Sequence, residues 1–108
     1  MAEDLKSNKK QKVLEEEEEG INEYKRVLSI QSHVVSGYVG NKAATFPLMT
    51  LGFDVDPLNT VHFSNHSGFP TFPGERLNGQ QLMELFGGLK KNRLANYSHA
   101  LTGYILIL

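Results

Sequence analysis

The stretch from Ser29 to Thr45, SIQSHVVSGYVGNKAAT, decides the fold of this 108-residue chain. It continues the apolar, β-branched run Arg26–Gln31, which is typical of a buried strand, into a loop that contains Gly37 and Gly40, called the glycine loop below. A helical pattern follows over Asn41–Gly52, which opens with an N-cap-type asparagine and closes with a C′-type glycine. Pro47 interrupts this pattern and predicts a kink or a short first segment. A strand, a glycine loop and a helix together predict an α/β unit.

The pattern after this unit predicts one more helix and two more strands. Phe53–Phe63 alternates apolar and polar residues, as a strand or a strand with a bend at Pro57 does. Ser64–Leu77 contains prolines and glycines and is predicted as a long loop. Asn78–Asn92 has one apolar face and is predicted as an amphipathic helix. Residues 98–108 are predicted as a buried strand that is broken by Thr102-Gly103-Tyr104, which could turn. The order strand, helix, strand, helix, strand favours parallel strands in an α/β sheet.

Two loops of this predicted sheet are candidates for a binding site. In open α/β sheets, ligands bind at the carboxyl ends of the strands. The glycine loop and the Ser64–Leu77 loop each follow a predicted strand, so both are expected at that edge. The sequence therefore predicts a site formed by the two loops.

Charge separates the amino-terminal residues from the rest of the chain. Residues 1–25 contain eight acidic residues and five lysines, whereas the remainder has six basic and four acidic residues. Five consecutive glutamates and little apolar periodicity predict that residues 1–24 form a disordered tail ahead of one domain at 25–108. The weak basic excess of that domain argues against a nucleic-acid groove, and we expect no nucleic-acid partner.

Cysteine content and hydropathy exclude several further classes of protein. The chain has no cysteine, which excludes disulfide scaffolds, cysteine–zinc sites and thiol nucleophiles. No apolar stretch approaches the roughly 20 residues of a membrane helix, so no membrane association is expected. The charged amino terminus lacks the apolar core of an export signal, and we expect a cytoplasmic location.

The glycine loop does not match the known phosphate-binding motifs. A P-loop requires G-x-x-x-x-G-K-[ST], whereas Gly37 and Gly40 are three residues apart and Lys42 is followed by alanine. The G-x-G-x-x-G motif of dinucleotide-binding proteins is also absent from the loop. Two interpretations stay open at this point: the N–H groups that start the following helix bind an anion, or the segment is an ordinary βα turn.

The remaining polar and aromatic candidates give no catalytic or metal site on spacing alone. His62 and His66 are four residues apart, but a Gly/Pro loop follows them and no third ligand is evident, so no metal site is predicted. Ser32 and His33 are adjacent and would point apart on a strand, which leaves Ser32 as a hydrogen-bonding residue. Four aromatic residues at or after strand ends either belong to the core or hold a flat ligand: Phe63, Phe69, Phe72 and Tyr104.

The motifs SIQSHVVSGYVGNKAATFPL, FSNHSG and LTGY carry a specific resemblance to a known family. From Arg26 to Tyr104 the sequence closely resembles the amino-terminal part of eukaryotic pyridoxal kinases. The resemblance implies a ribokinase-like α/β fold, here as part of a Rossmann-like three-layer sheet, and a homodimer. It also implies ATP-dependent phosphorylation of the 5′-hydroxyl of pyridoxal, pyridoxine and pyridoxamine, with Mg²⁺ or Zn²⁺ and with K⁺ or Na⁺.

The same resemblance implies roles for individual residues. Ser32 is expected to hydrogen-bond the vitamin ring, and Val39 is expected to line the same pocket. Phe63 and Tyr104 match aromatic residues that flank the pyridine ring. Ser67 stands where the animal enzymes usually have threonine, and its hydroxyl can still contact the vitamin. The glycine loop is therefore expected to bind the vitamin and not a nucleotide phosphate.

The chain departs from the family in the motifs that perform the reaction. Family members are much longer, and the sequence leaves the family pattern directly after Tyr104, where ILIL follows. The G-x-G-D motif, whose aspartate is the general base in the family, does not occur in the chain. We therefore expect no catalytic residue and no residues for ATP or its metals here, and a truncated domain that is inactive alone.

Two alternatives to a truncated kinase follow from the same features. The chain could be a non-catalytic module that binds pyridoxal, or one that pairs with a complete kinase and disturbs its dimer. It could also be an unstable fragment without function. The latter is argued from the small core of such a unit and from the apolar strand at its end, which would expose an aggregation-prone edge.

Overall fold

The computed structural model describes residues 25–103, which form a mixed α/β sheet with two helices. The elements are, in chain order, β1 (Arg26–Val34), α1 (Gly40–Thr50), β2 (Asp54–Phe63), β3 (Gly74–Arg76), α2 (Gly79–Lys91) and β4 (His99–Thr102). The predicted tail at residues 1–24 and the last five residues lie outside this range. The predicted α/β class is confirmed.

The strand order in the sheet is β3-β2-β1-β4. Both β2 and β4 pair with β1 in parallel, as predicted, whereas β3 pairs with β2 in the antiparallel direction. Since β2 and β4 lie on opposite sides of β1, the direction of winding reverses at β1. The crevice at the carboxyl end of such a strand is the usual place for a ligand in an open α/β sheet.

Helix α1 begins one residue before the predicted start, and Asn41 is not its N-cap. The N-cap is Val39, which has no side-chain cap. Asn41 is buried inside the first turn, where its Nδ2 donates to the Leu58 carbonyl oxygen at 3.1 Å and to the Asn59 Oδ1 at 2.9 Å. The prediction was wrong because this amide joins the helix to β2 instead of to its own first turn.

The other end of α1 lies where Gly52 predicted it, but the predicted short first segment before Pro47 is wrong. The helix runs through Pro47 to Thr50 instead of stopping at the proline. Gly52 has a φ of 92°, and its N–H donates to the Met49 carbonyl oxygen at 3.0 Å. The Phe53 N–H donates to the Leu48 carbonyl oxygen at 3.0 Å, which completes a Schellman motif.

Strand β3 lies inside the segment predicted as a loop. It has only three residues, too few for a periodic pattern, and exists because it pairs with Val61, His62 and Phe63 of β2. Gly74 faces Phe63, and a Cβ on this glycine would lie 2.8 Å from the Phe63 Cα. The glycine therefore permits the close pairing that ends the loop.

Helix α2 matches its prediction, with Asn78 and Asn92 as its caps. The Asn78 Oδ1 accepts from the Gln81 N–H at 2.8 Å, and the Asn78 N–H donates to the Gln81 Oε1 at 2.9 Å. This capping box satisfies two backbone donors that a helix start leaves open. Within residues 25–103, neither helix has the length and apolarity to cross a membrane.

The hydrophobic core lies on β1 and β2 and reaches the carboxyl ends of both strands. Its six buried apolar side chains are Val27, Leu28, Val34, Leu58, Val61 and Phe63. The register shifts between Gln31 and His33, so Ser32 faces two residues of β2, Thr60 and Val61. This β-bulge explains why these two consecutive residues are both buried at the same strand end.

Candidate functional site

A cavity of about 660 Å³ lies at the carboxyl ends of β1 and β2. Both loops predicted to form a site contribute to it, together with the start of α1 and strand β3. Four of the five predicted ligand-binding residues line it: Ser32, Val39, Phe63 and Ser67. Tyr104 lies outside the described residues. The volume is in the range of ~300–1,000 Å³ that is typical of small-molecule sites.

Ser32 lies on β1 opposite the two bulge residues of β2, Thr60 and Val61, and its side chain lines the cavity. It makes no side-chain hydrogen bond within residues 25–103. At Gly40, which has a φ of 48°, the backbone passes close to Ser32. A Cβ at Gly40 would lie 2.5 Å from the Ser32 Oγ. The second glycine of the loop is therefore required both for the turn and for the position of Ser32.

Val39 and Phe63 form the apolar wall of the cavity. Phe63 ends β2 and is 8% exposed, and Val39 packs against the cluster that Phe63 forms with Val34 and Val61. The Phe72 ring stands edge-on to the Phe63 ring, with 5.5 Å between the ring centroids. Phe63 is thus part of the core and of the cavity wall at once.

Ser67 is held on a loop that has its own hydrogen bonds. The Asn65 Nδ2 donates to the Thr71 carbonyl oxygen at 2.9 Å across this loop, and the Ser64 N–H donates to the Pro73 carbonyl oxygen at 2.9 Å. The His66 Nδ1 accepts from the Gly68 N–H at 2.8 Å. These bonds place His66 and Ser67 at the rim of the cavity.

The histidines do not form a metal site. The His62 ring lies against the His33 ring, with 5.2 Å between the centroids, whereas His66 lines the cavity. Burial lowers the pKa of His33, and the nearby His62 and Lys42 lower this pKa further. Among residues 25–103, no group of three or more histidine, aspartate or glutamate side chains is placed to hold a metal ion.

Two further residues of the cavity were missed by the sequence analysis. Arg76 of β3 lies with its guanidinium carbon 5.2 Å from the centroid of the Phe63 ring. Thr60 is 1% exposed, and its Oγ1 has no hydrogen-bond partner within residues 25–103. Arg76 reaches the cavity because the short strand β3 pairs with β2, and Thr60 is buried there because of the β-bulge opposite Ser32. No local sequence signal indicates either one.

The described lining of the cavity offers hydrogen-bonding and aromatic groups. Hydroxyl groups and aromatic rings surround a cavity without any lining aspartate or glutamate, so the part of the chain at 25–103 offers no carboxylate base there. No step of phosphoryl transfer is assigned to the described residues.

Known proteins with similar sequences are pyridoxal kinases. The pyridoxal kinase of Arabidopsis thaliana is 68% identical over 80 residues, which are 74% of this chain and 26% of that protein. The pyridoxal kinase of Homo sapiens is 57% identical over 79 residues, which are 73% of this chain and 25% of that protein. The chain thus spans about a quarter of the length of these relatives. No family model matches it.

Solved structures give the same result. Pyridoxal kinase from Leishmania donovani in complex with ADP and pyridoxine superposes with a TM-score of 0.73 at 56% identity. The match covers 77% of this chain and 29% of that one. The pyridoxal kinase of Trypanosoma brucei gives a TM-score of 0.71 at 59% identity, covering 76% and 30%. The predicted resemblance and the ribokinase-like α/β fold are confirmed.

Proposed function

We propose, from this similarity to pyridoxal kinases, that the chain carries the vitamin-binding side of a pyridoxal kinase pocket. Its ligands would be pyridoxal, pyridoxine and pyridoxamine. One observation carries the proposal: Ser32 and Val39 come from one segment of the sequence, Phe63 and Ser67 come from another, and all four line a single cavity. The Leishmania donovani relative holds pyridoxine together with ADP, which supports a vitamin-type ligand for a fold of this kind.

The lining residues can recognise a flat ring that has polar substituents. The hydroxyls of Ser32 and Ser67 each donate one hydrogen bond and accept others, so they can pair with hydroxyl or amino groups of the ligand. Phe63 offers an aromatic face or edge to the ring, and Val39 excludes water from one side. Tyr104 is proposed to flank the opposite face of the ring.

A complete enzyme of this kind would transfer the γ-phosphoryl group of ATP to the 5′-hydroxyl of the vitamin. Such transfer requires the nucleotide, Mg²⁺ or Zn²⁺ and a base to be positioned together. Because the G-x-G-D motif that carries the general base of the family does not occur in the sequence, we propose that the 108-residue chain is inactive alone, without the parts that hold ATP, its divalent metal and K⁺ or Na⁺. A homodimer of the complete kinase and a cytoplasmic location are further parts of the proposal.

A second candidate function is a module that binds pyridoxal or pairs with a complete kinase without catalysis. The observation that favours it is α2, which has no buried residue and exposes Met83 and Leu85 by 67% and 50%. Such apolar surface is typical of a face that another polypeptide covers. Co-purification with a full-length pyridoxal kinase tests this version, and a chain that elutes separately from the kinase would contradict it.

An NMR titration of the full chain with pyridoxal tests the proposed site. We expect a dispersed ¹H–¹⁵N spectrum in which the amides of Ser32, Phe63 and Ser67 shift as pyridoxal is added. The variants Ser32→Ala and Ser67→Ala should each weaken binding about 3- to 10-fold, since each removes one hydrogen bond. Ser36→Ala is the matched control, because Ser36 is exposed and does not line the cavity.

Two results would contradict the proposal. A dispersed spectrum without shifts, or with shifts only far from the cavity, would show that the folded chain does not use this site for the vitamin. Clear ATP-dependent formation of pyridoxal phosphate by the purified chain would contradict the proposed inactivity. A collapsed spectrum would favour the unstable-fragment interpretation.

A further inference from the structure

One permanently charged side chain, that of the exposed Arg76 on β3, lines the cavity. Among the described residues that line it, Arg76 carries a permanent charge, and none is an aspartate or glutamate. Arg76 forms no ion pair within residues 25–103, and its guanidinium rests on the Phe63 ring, 5.2 Å from the centroid. A guanidinium is always charged and pairs well with a carboxylate or a phosphate that accepts two hydrogen bonds. Its position at a cavity without lining aspartate or glutamate therefore favours an anionic ligand.

Two further groups add to the same electrostatic environment. Helix α1 begins at Gly40 on the cavity wall, without a side-chain cap and without an acidic residue in its first turn. The start of a helix carries partial positive charge. The hydroxyl of Thr60 is buried in the same wall and has no hydrogen-bond partner within the described range. A cation, a helix start and an unpaired hydroxyl therefore surround one space.

We infer that Arg76 makes this cavity selective for a pyridine-type ring that carries an anionic substituent, a carboxylate or a phosphate, over a neutral ring of the same shape. This inference rests on the proposed function, since it takes the vitamin ring as the ligand that Phe63 contacts. Its consequence is that an anionic derivative of the vitamin, the phosphorylated product included, is retained more tightly than the neutral substrate. Arg76 then acts as a specificity-determining residue.

The test compares neutral and anionic ligands of one ring system on the full chain. The probes are pyridoxine, 4-pyridoxate, which has a ring carboxylate, and pyridoxine 5′-phosphate, each titrated by NMR or calorimetry. We expect at least one anionic probe to bind up to about 5-fold more tightly than pyridoxine, the upper end of the range for an exposed ion pair. Arg76→Gln should remove this preference, and Arg76→Lys should keep part of it.

The control variant is Arg93→Gln, which removes the same charge from the end of α2, outside the cavity. It should leave the preference unchanged. An anionic preference that is absent, or that persists in Arg76→Gln, would overturn the inference while pyridoxine still shifts Ser32 and Ser67. Loss of pyridoxine binding to the folded unmodified chain would instead overturn the proposed function, so the two failures are distinguishable.

Discussion

The absence of a side chain at Gly40 leaves room for the hydroxyl group of Ser32. Alanine at this position would have to adopt a φ of 48° and would place its Cβ 2.5 Å from the Ser32 Oγ. We expect Gly40→Ala to lower the free energy of unfolding by about 1–3 kcal/mol, the usual cost of such backbone strain. Urea unfolding measures this loss, and a pyridoxal titration should show weaker binding because Ser32 is displaced.

Gly79 provides the matched control for this glycine substitution. It is the first residue of α2, and a Cβ there would meet no atom within 4 Å. Gly79→Ala should therefore leave stability unchanged or raise it by up to about 1 kcal/mol, since alanine restricts the unfolded chain. Equal losses in the two variants would show that the position of Gly40 beside Ser32 has no special role.

His33 is expected to make the fold less stable in acid. Its pKa lies below 6.5 in the folded chain because of burial first, and then because of His62 and Lys42. Below pH 6.5 the unfolded chain therefore binds more protons than the folded chain, and stability falls as the pH falls toward the lower folded pKa. Unfolding measured between about pH 7.5 and about pH 5.5 should show this fall.

The variant His33→Gln should flatten that pH dependence, because glutamine cannot titrate. His99→Gln, on the exposed strand β4, should retain it. A slope in His33→Gln equal to that of the unmodified chain would assign the acid sensitivity to other groups.

At the scale of elements, one arginine at the start of β1 holds the segment between α2 and β4. The Arg26 Nη1 donates to the Leu94 carbonyl oxygen at 2.6 Å, and its Nη2 pairs with the Asp56 Oδ2 at 2.7 Å. The Tyr97 hydroxyl donates to the same carboxylate at 2.7 Å, and the guanidinium lies over the Tyr97 ring. The network joins β1, β2 and the approach to β4 at the end of the sheet opposite the cavity.

The phenol of Tyr97 reports whether this network is intact. Burial, followed by the hydrogen bond and charge of Asp56, raises the pKa of Tyr97 to about 12. Asp56→Asn should lower this pKa toward 10.0, since it removes the carboxylate but keeps the burial. An ultraviolet titration of the phenols measures the change, and Tyr97→Phe identifies the late-titrating group by its loss. A titration identical in Asp56→Asn would rule out the carboxylate as a cause.

The raised pKa of Tyr97 also predicts how stability changes with pH in alkaline solution. Because the folded pKa is about 12 against 10.0 in the unfolded chain, the folded state binds more protons between these values. Stability should therefore fall as the pH rises through that window.

The elements with strong local signals were the ones that the sequence predicted well. The capping residues Asn78 and Asn92 indicate both ends of α2, and apolar and polar residues alternate along most of β2. Strand β3 has no such signal, because its three residues form a strand only when β2 lies beside them. Arg76 was not predicted for the same reason, since its position depends on the pairing of β3 with β2. Family resemblance, and not spacing, identified four other lining residues: Ser32, Val39, Phe63 and Ser67.

At the scale of the whole molecule, packing is uneven and is concentrated on the two central strands, β1 and β2. The buried apolar side chains of the described residues all lie on β1 and β2, whereas α2, β3 and β4 have no buried residue. Local opening should therefore cost least in α2 and β4 and most in the central strand pair. The cavity would keep its shape even if the outer elements open, since most of its apolar wall belongs to that pair.

Hydrogen exchange of the full chain, followed by mass spectrometry, tests this division. Amides of β1 and β2 should exchange most slowly and those of α2 most rapidly, because exchange from α2 requires only local opening. Addition of pyridoxal should slow exchange within the segments 32–40 and 63–72, each of which contains residues that line the cavity, and leave α2 nearly unchanged. Protection of α2 equal to that of β1 would mean that the helix opens only with the whole domain. In that case the exposed face of α2 would contribute more to stability than its burial indicates.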